Sequence, residues 1–212
     1  NIMKTFETHD DVVFFQRFCA SCGLYGGAID GVVHEDMRSA SRKLKEQYEY
    51  IRDNEGKFDE RSERNIESLL PVAQIIARRM LATSRDLYPL VVKIISGTRT
   101  YAEQNALYAI GRTIDPQKKK VTNARGGESN HNFGIAWDVG IFEENGRYMD
   151  GSKPNDSKAY QALATAAKAA IPELEWGGDW TSFVDPPHYQ LKTGKNAKEI
   201  RASFEKGLPF LS

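Results

Sequence analysis

Cysteine is scarce in this chain of 212 residues: only Cys19 and Cys22 occur, too few to staple a protein of this length, so its folding must rest on an apolar core. Charge of one sign is also missing. Lys plus Arg equals Asp plus Glu at 29 each, so no bulk attraction draws the chain toward nucleic acid or an anionic membrane, and specificity must come from local sites. No run of about 18 apolar residues is found, which excludes a spanning helix, and no basic segment followed by an apolar one opens the chain. Asn1 and Ile2 precede Met3, so Met3 is expected to be the natural start, with no leader removed. Glycine (17) and proline (8) are ordinary in number, which argues against disorder and against a fibrous repeat.

What is present reads as a globular chain with a change of character near residue 56. The first sixty residues carry 8 basic and 12 acidic side chains and the remainder 21 and 17, which hints at a module boundary. Val12, Phe15, Phe18, Cys19 and Cys22 trace an amphipathic helix with Asp10 or Asp11 as its expected cap. The two cysteines are expected to be buried thiols on that helix. A zinc-knuckle reading of Cys-x-x-Cys lacks two further ligands, because His9 and His34 fall outside the usual paired spacing. A loop rich in glycine, Gly23 to Gly31, then separates this helix from a second one marked by Met37, Ala40, Ser41, Leu44 and Tyr48.

Beyond a polar break at 53–58, Ile66, Leu69, Leu70, Ala73, Ile76, Ala77 and Met80 form one apolar face, in which Pro71 should kink a helix or start a second. The β-branched run Val91, Val92, Ile94, Ile95 predicts a buried strand ending at Ser96-Gly97. Helical spacing returns over 100–110, and the lysines 118–120 sit in a polar loop to which we assign no function. Residues 135–142 predict a strand and Asn145-Gly146 a turn. Asp156 is expected to cap an alanine-rich helix with Ala159, Leu163, Ala166, Ala167 and Ala170 inward, stopping before Pro172. Residues 174–176 and 188–191 are the expected final strands. Strands separated by helices and loops of uneven length predict an α+β fold.

Only four histidines occur, and two lie in unusual surroundings. Ser129-Asn130-His131-Asn132-Phe133-Gly134-Ile135-Ala136-Trp137-Asp138 sets an imidazole before a glycine turn and a carboxylate on the strand after it. Asp185-Pro186-Pro187-His188 adds a second imidazole behind two prolines that restrict the backbone. Two imidazoles and one carboxylate suit a catalytic Zn²⁺ with one open position, which acidifies a water to a pKa of roughly 7. Asp185, three residues before His188, is the natural proton acceptor, and Arg99, leaving the end of a buried strand, is a permanent cation for a substrate carboxylate or an oxyanion. Arg99 read alone also fits an ion pair that holds a loop. Trp137, Trp176, Trp180 and Tyr189 are expected to pack the core or wall the cleft.

These segments resemble the zinc peptidase family of D-alanyl-D-alanine carboxypeptidases and L-alanyl-D-glutamate endopeptidases, which includes phage endolysins and bacterial wall remodellers. The resemblance runs from about Phe58 to Leu191. It rests on Ser-x-His-x-x-Gly-x-Ala-x-Asp at Ser129, His131, Gly134, Ala136 and Asp138, on Asp185 to His188, and on the Ser96-Gly97-Thr98-Arg99 segment. Arg99 to Gln104 and Trp176-Gly177-Gly178 bring it closest to the L-alanyl-D-glutamate branch. Many relatives have Glu where this chain has Asp185. The first fifty residues, through Leu24, Tyr25, Ile29, Asp30 and Gly31, resemble the small three-helix peptidoglycan-binding domain, and depart from it at Glu46-Gln47-Tyr48.

The resemblance implies a helical module over 1–56 and a zinc peptidase domain over 57–212, with a mainly antiparallel sheet flanked by helices. It implies one Zn²⁺ per chain on His131, Asp138 and His188, with Asp185 as general base and then acid and Arg99 stabilising the oxyanion. Ser129 and Gln104 either position substrate or make ordinary capping and surface hydrogen bonds. The expected activity is hydrolysis of a peptidoglycan stem-peptide amide, L-alanyl-D-glutamate first. The alternatives are D,D-carboxypeptidase or endopeptidase, another L,D-endopeptidase, and a non-catalytic, zinc-stabilised wall-binding or signalling module. Peptidoglycan is the expected partner, without nucleic acid or membrane. The chain is expected to be a monomer, made in the cytoplasm and reaching the wall after lysis or by dedicated secretion, with an immunity or secretion partner if it is an exported effector.

Overall fold

In the computed structural model, residues 7–211 are described; the expected start at Met3 lies outside them. The α+β expectation is borne out: the described residues form seven α-helices and a four-stranded antiparallel sheet of order β1-β2-β4-β3. The strands are β1 (Val91–Ser96), β2 (Ala136–Phe142), β3 (Leu174–Trp176) and β4 (His188–Leu191). The helices are α1 (His9–Ser21), α2 (Glu35–Glu55), α3 (Glu60–Glu67), α4 (Pro71–Thr83), α5 (Tyr101–Ala109), α6 (Pro154–Ala170) and α7 (Ala197–Phe204). No helix among the described residues is long and apolar enough to cross a membrane.

The chain gathers into two compact units, each discontinuous in sequence. The first holds residues 48–97 and 136–192 and contains the sheet. Strand periodicity divides that sheet into two faces. Trp137 pairs with Tyr189, and Tyr189 with Trp176, so these three aromatic residues share one face. All three are buried. Helix α4 packs on β4 and α6 on β3, and Trp137 Nε1 donates to Met80 Sδ of α4. Asp138 pairs with His188 and Ala136 with Gln190, and these four take the opposite face.

Pro71 starts α4 as its first residue, where its missing N–H costs nothing, and the preceding helix α3 ends at Glu67. The run 91–95 is not the buried strand expected of it: β1 is an edge strand in which only Ile94 is buried and Val91 is exposed, and helix α3 lies along it, over outer groups that would otherwise be open. Ser62 Oγ accepts from Ile94 N (3.0 Å), and Asn65 Nδ2 donates to Ile94 O (3.0 Å). Gly97 permits this approach, because a Cβ there would land on Ser68 Oγ and on Asn65 O. A buried ion pair anchors α3 to α4. Both Glu63 carboxylate oxygens receive an Arg78 guanidinium N–H at 2.8 Å, with further donors in Phe58 N (2.7 Å) and Tyr48 Oη (2.8 Å). Arg78 also donates to Gly56 O (2.7 Å).

Two further local expectations are corrected. Helix α6 begins at Pro154, so Asp156 is its third residue rather than its cap. Its carboxylate is fully buried, taking Arg147 at 2.7 and 3.2 Å and the Gly151 and Lys153 N–H groups. The inward stripe of α6 runs through Ala159, Tyr160, Leu163, Ala164 and Ala167, leaving Ala170 exposed.

The second unit holds residues 7–47, 98–135 and 193–211 of the described chain. Helix α1 is capped by Thr8 in a reciprocal arrangement with Asp11, so the expected cap Asp11 is the partner of the true one. An aromatic cluster forms its core. Phe14 lies 5.6 Å from Phe204 and 6.2 Å from Tyr101, and Phe133 lies 5.3 Å from Phe204, ring centroid to centroid. The glycine loop folds onto Gln16, which is fully buried. The Gln16 Oε1 accepts from Asp30 N and Gly31 N, while Nε2 donates to Asp30 Oδ1 and Val32 O. The other Asp30 carboxylate oxygen meets His34 Nε2 at 2.8 Å. Gly31 has φ +72°, and a Cβ there would strike the His9 ring. Cys19 is buried on this helix as expected, whereas Cys22 lies at its C-cap and is only half-buried.

Candidate metal centre

His131 sits in a short 3-10 turn, Asn130–Phe133, that leads into β2. Ser129 caps the turn, its hydroxyl accepting from His131 N (3.4 Å), and Gly134 closes it in the left-handed region at φ 72°. Phe133 is fully buried in the aromatic cluster, so the turn is nailed down two residues past the histidine. Four residues after Gly134, Asp138 emerges on β2, opposite His188 on β4.

These three side chains converge. One ligand atom each from His131, Asp138 and His188 lie within 4.8 Å of one another, with both histidines buried and Asp138 half-buried. His188 Nδ1 stands 3.3 Å from Asp138 Oδ1. Donors about 2.1 Å from a tetrahedral ion are separated by roughly 3.4 Å, so this pair already has the spacing that zinc requires. Two nitrogens and a carboxylate oxygen fit that ion in kind as well. Burial disfavours a charged His188, but the Asp138 carboxylate, joined by Gln190 and Asp185, outweighs it and holds the imidazole pKa above its ordinary value. The same carboxylate that attracts a proton would attract a cation.

Asp185 is placed by its backbone. Its N–H donates to Gly177 O (3.0 Å), and its own carbonyl accepts from His188 N (3.1 Å). Trp176 Nε1 donates to Pro186 O (2.7 Å), and Val139 N to Pro187 O (2.9 Å). Gly177 is buried against this segment, and a Cβ on it would come within 2.5 Å of Asp185 O and 3.0 Å of His188 Cβ. The Trp-Gly-Gly sequence is therefore the seat on which Asp185 to His188 rests.

Arg99 follows β1, and its N–H donates to His131 O (3.0 Å). Its guanidinium reaches Gln104 Oε1 at 3.4 Å. Gln104 is fully buried, and its amide donates to Ala124 O (3.0 Å) and Thr122 Oγ1 (3.3 Å), so its carboxamide braces Arg99 and the 122–124 loop.

Asn132 and Gln190 join this region without having been expected there, and Trp180 stands beside it as one of the expected cleft-wall aromatics. Asn132 is fully buried, donating to Arg99 O (2.9 Å) and accepting from Gly127 N (2.9 Å), so it ties the Arg99 and His131 segments together. Gln190 meets the second nitrogen of His188, with Nε2 3.0 Å from Gln190 Oε1. Trp180 lies with its ring 4.9 Å from the His188 ring and donates to Glu175 Oε1 (2.9 Å). Period-two alternation from His188 would have nominated Gln190; nothing local nominates Asn132.

One imidazole and one carboxylate on a sheet face, met by a second imidazole from the turn that precedes β2, define a class of site for divalent metal ions. The comparisons with known proteins agree. Residues 122–191 match the family described as D-alanyl-D-alanine carboxypeptidase, a stretch that includes Ser129, His131, Asp138, Asp185 and His188. The resemblance read from the motifs is thus borne out over that segment. The chain is 37% identical over 105 residues to the peptidoglycan L-alanyl-D-glutamate endopeptidase CwlK of Bacillus subtilis strain 168, covering 47% of this chain. It spans 60% of the length of that relative. It is also similar to the crystal structure of Serratia marcescens L-Ala D-Glu endopeptidase ChiX, at 26% identity and a TM-score of 0.44, over 63% of this chain and 88% of that one.

Proposed function

We propose that this protein is a zinc-dependent peptidoglycan hydrolase that cleaves a stem-peptide amide, specifically the L-alanyl-D-glutamate bond. The observation that carries the proposal is the convergence of His131, Asp138 and His188 within 4.8 Å. A zinc ion held by these residues supplies Lewis acidity and a water acidified to near neutrality. Asp185 accepts a proton from the attacking water and delivers it to the departing amine nitrogen, which would otherwise leave as a poor anion. Arg99 holds the negative charge that grows on the attacked carbonyl oxygen. Asn132 and Gln104 keep Arg99 in place, while Ser129 shapes the turn that carries His131.

The choice of bond is supported by the activity for which the similar Bacillus protein is named. The same proposal takes residues 1–56 as a wall-binding-like module and 57–212 as the catalytic domain, acting as a monomer at the cell wall after lysis or dedicated secretion. Phe14 of that module packs on Tyr101 and Phe204, so the two are expected to unfold together. The test is digestion of purified peptidoglycan by zinc-loaded protein, followed by mass spectrometry of the muropeptides. New amino termini on glutamate are expected. New termini elsewhere would reassign the bond, and no new termini would overturn the activity.

A further inference from the structure

Gln190 lies on the same face of β4 as His188 and takes no part in the proposed chemistry. Its place is rigid, because β4 is an inner strand and Gln190 pairs with Ala136 on one side and Glu175 on the other. Both it and His188 are buried, at 8% and 6% exposure, so bulk water does not serve the polar atoms between them.

The two nitrogens of His188 face different groups. Nδ1 is turned at 3.3 Å to Oδ1 of Asp138, a member of the converging group, and Nε2 is turned to Gln190 Oε1 at 3.0 Å. A neutral imidazole has one N–H and one lone pair, and a metal takes the lone pair. If Nδ1 ligates, the proton must sit on Nε2, and a buried N–H needs an acceptor. The carboxamide oxygen of Gln190 is that acceptor. The opposite amide orientation would set N–H against N–H. Trp180, 4.9 Å away ring to ring, confines the imidazole from a further side.

We propose that Gln190 is a positioning residue that fixes the Nε2–H tautomer of His188 and so selects Nδ1 as the metal-binding nitrogen. The inference rests on the reading that zinc occupies His131, Asp138 and His188. A neutral carboxamide does this without adding a second negative charge beside Asp138.

Two measurements on the full chain test it. In zinc-loaded protein labelled with nitrogen-15 at histidine, long-range proton–nitrogen spectra should show His188 with a protonated Nε2 and a metal-shifted Nδ1. In chelator competition, Gln190→Leu should weaken zinc binding by about 10- to 100-fold. Gln190→Glu, which can only accept, should hold zinc within about threefold of the unaltered chain, since the acceptor function is kept. Metal found on Nε2, zinc held by Gln190→Leu as tightly as by the unaltered chain, or Gln190→Glu weakened as much as Gln190→Leu would each overturn the inference. Should Gln190→Leu fail to fold, the spectra of the unaltered chain decide. An unaltered chain that binds no zinc would instead remove the metal reading itself.

Discussion

Glu63→Gln should be among the most damaging single-atom changes in the unit that carries the sheet. Arg78 is fully buried, and its charge is matched by one carboxylate through two 2.8 Å hydrogen bonds. Replacing that carboxylate with an amide leaves a guanidinium without its counter-charge, which typically costs about 3–5 kcal/mol. For a protein of this size each kcal/mol moves Tm by about 2–4 °C, so a drop of roughly 6–20 °C is expected. Burial raises the Glu63 pKa, but Arg78, Phe58 N and Tyr48 together outweigh it and hold the carboxyl below its ordinary value. The pair's stabilisation is therefore full above the unfolded pKa of about 4.3 and is lost as pH falls through the lower folded value. Urea titrations followed by circular dichroism at pH 7 and pH 3 read both effects. The gap between the original chain and Glu63→Gln should be large at pH 7 and smaller at pH 3, and Glu63→Leu combined with Arg78→Met should recover part of it. A gap below about 1 kcal/mol at pH 7, or one that stays constant with pH, would refute the reasoning.

Other expectations concern the site and the thiols. One equivalent of zinc should copurify, and His131→Ala or His188→Ala should lose it, as read by metal analysis of the purified variants. Asp185→Ala should keep its zinc and lose hydrolysis of peptidoglycan; an active Asp185→Ala would end its assignment as proton carrier. Gly177→Ala should lower kcat/KM by about 100-fold while the sheet still folds, because the added carbon displaces the backbone that carries Asp185 and His188. Cys19 should resist thiol reagents until the chain unfolds, and Cys22, its thiol pushed up to about 11 by burial, should label slowly. Rapid labelling of both in the native state would contradict that burial.

The sequence disclosed most of the elements because their signals are local. A β-branched run, a proline and a glycine each act on their own neighbourhood, and β1, the start of α4 and the turn at Gly134 appear where those residues put them. The convergence of His131, Asp138 and His188 was legible for a different reason: rare residues at fixed spacings have few other uses. What stayed hidden was set by distant partners. Asp156 looks like a cap, yet it was recruited inward by Arg147, nine residues earlier. Gln16 looks like a polar residue on a helix, yet the Asp30 and Gly31 amides close over it. Asn132 and Gln190 have meaning only once Arg99 and His188 are seen beside them. An amide side chain advertises nothing of its partner in the linear text.

The cover that Ser62 and Asn65 place over Ile94 reaches beyond the alignment of β1. With that margin sealed and the opposite one only three residues long, the sheet offers little template for a foreign strand. Concentrated solutions of the native protein should therefore be slow to seed fibrous growth.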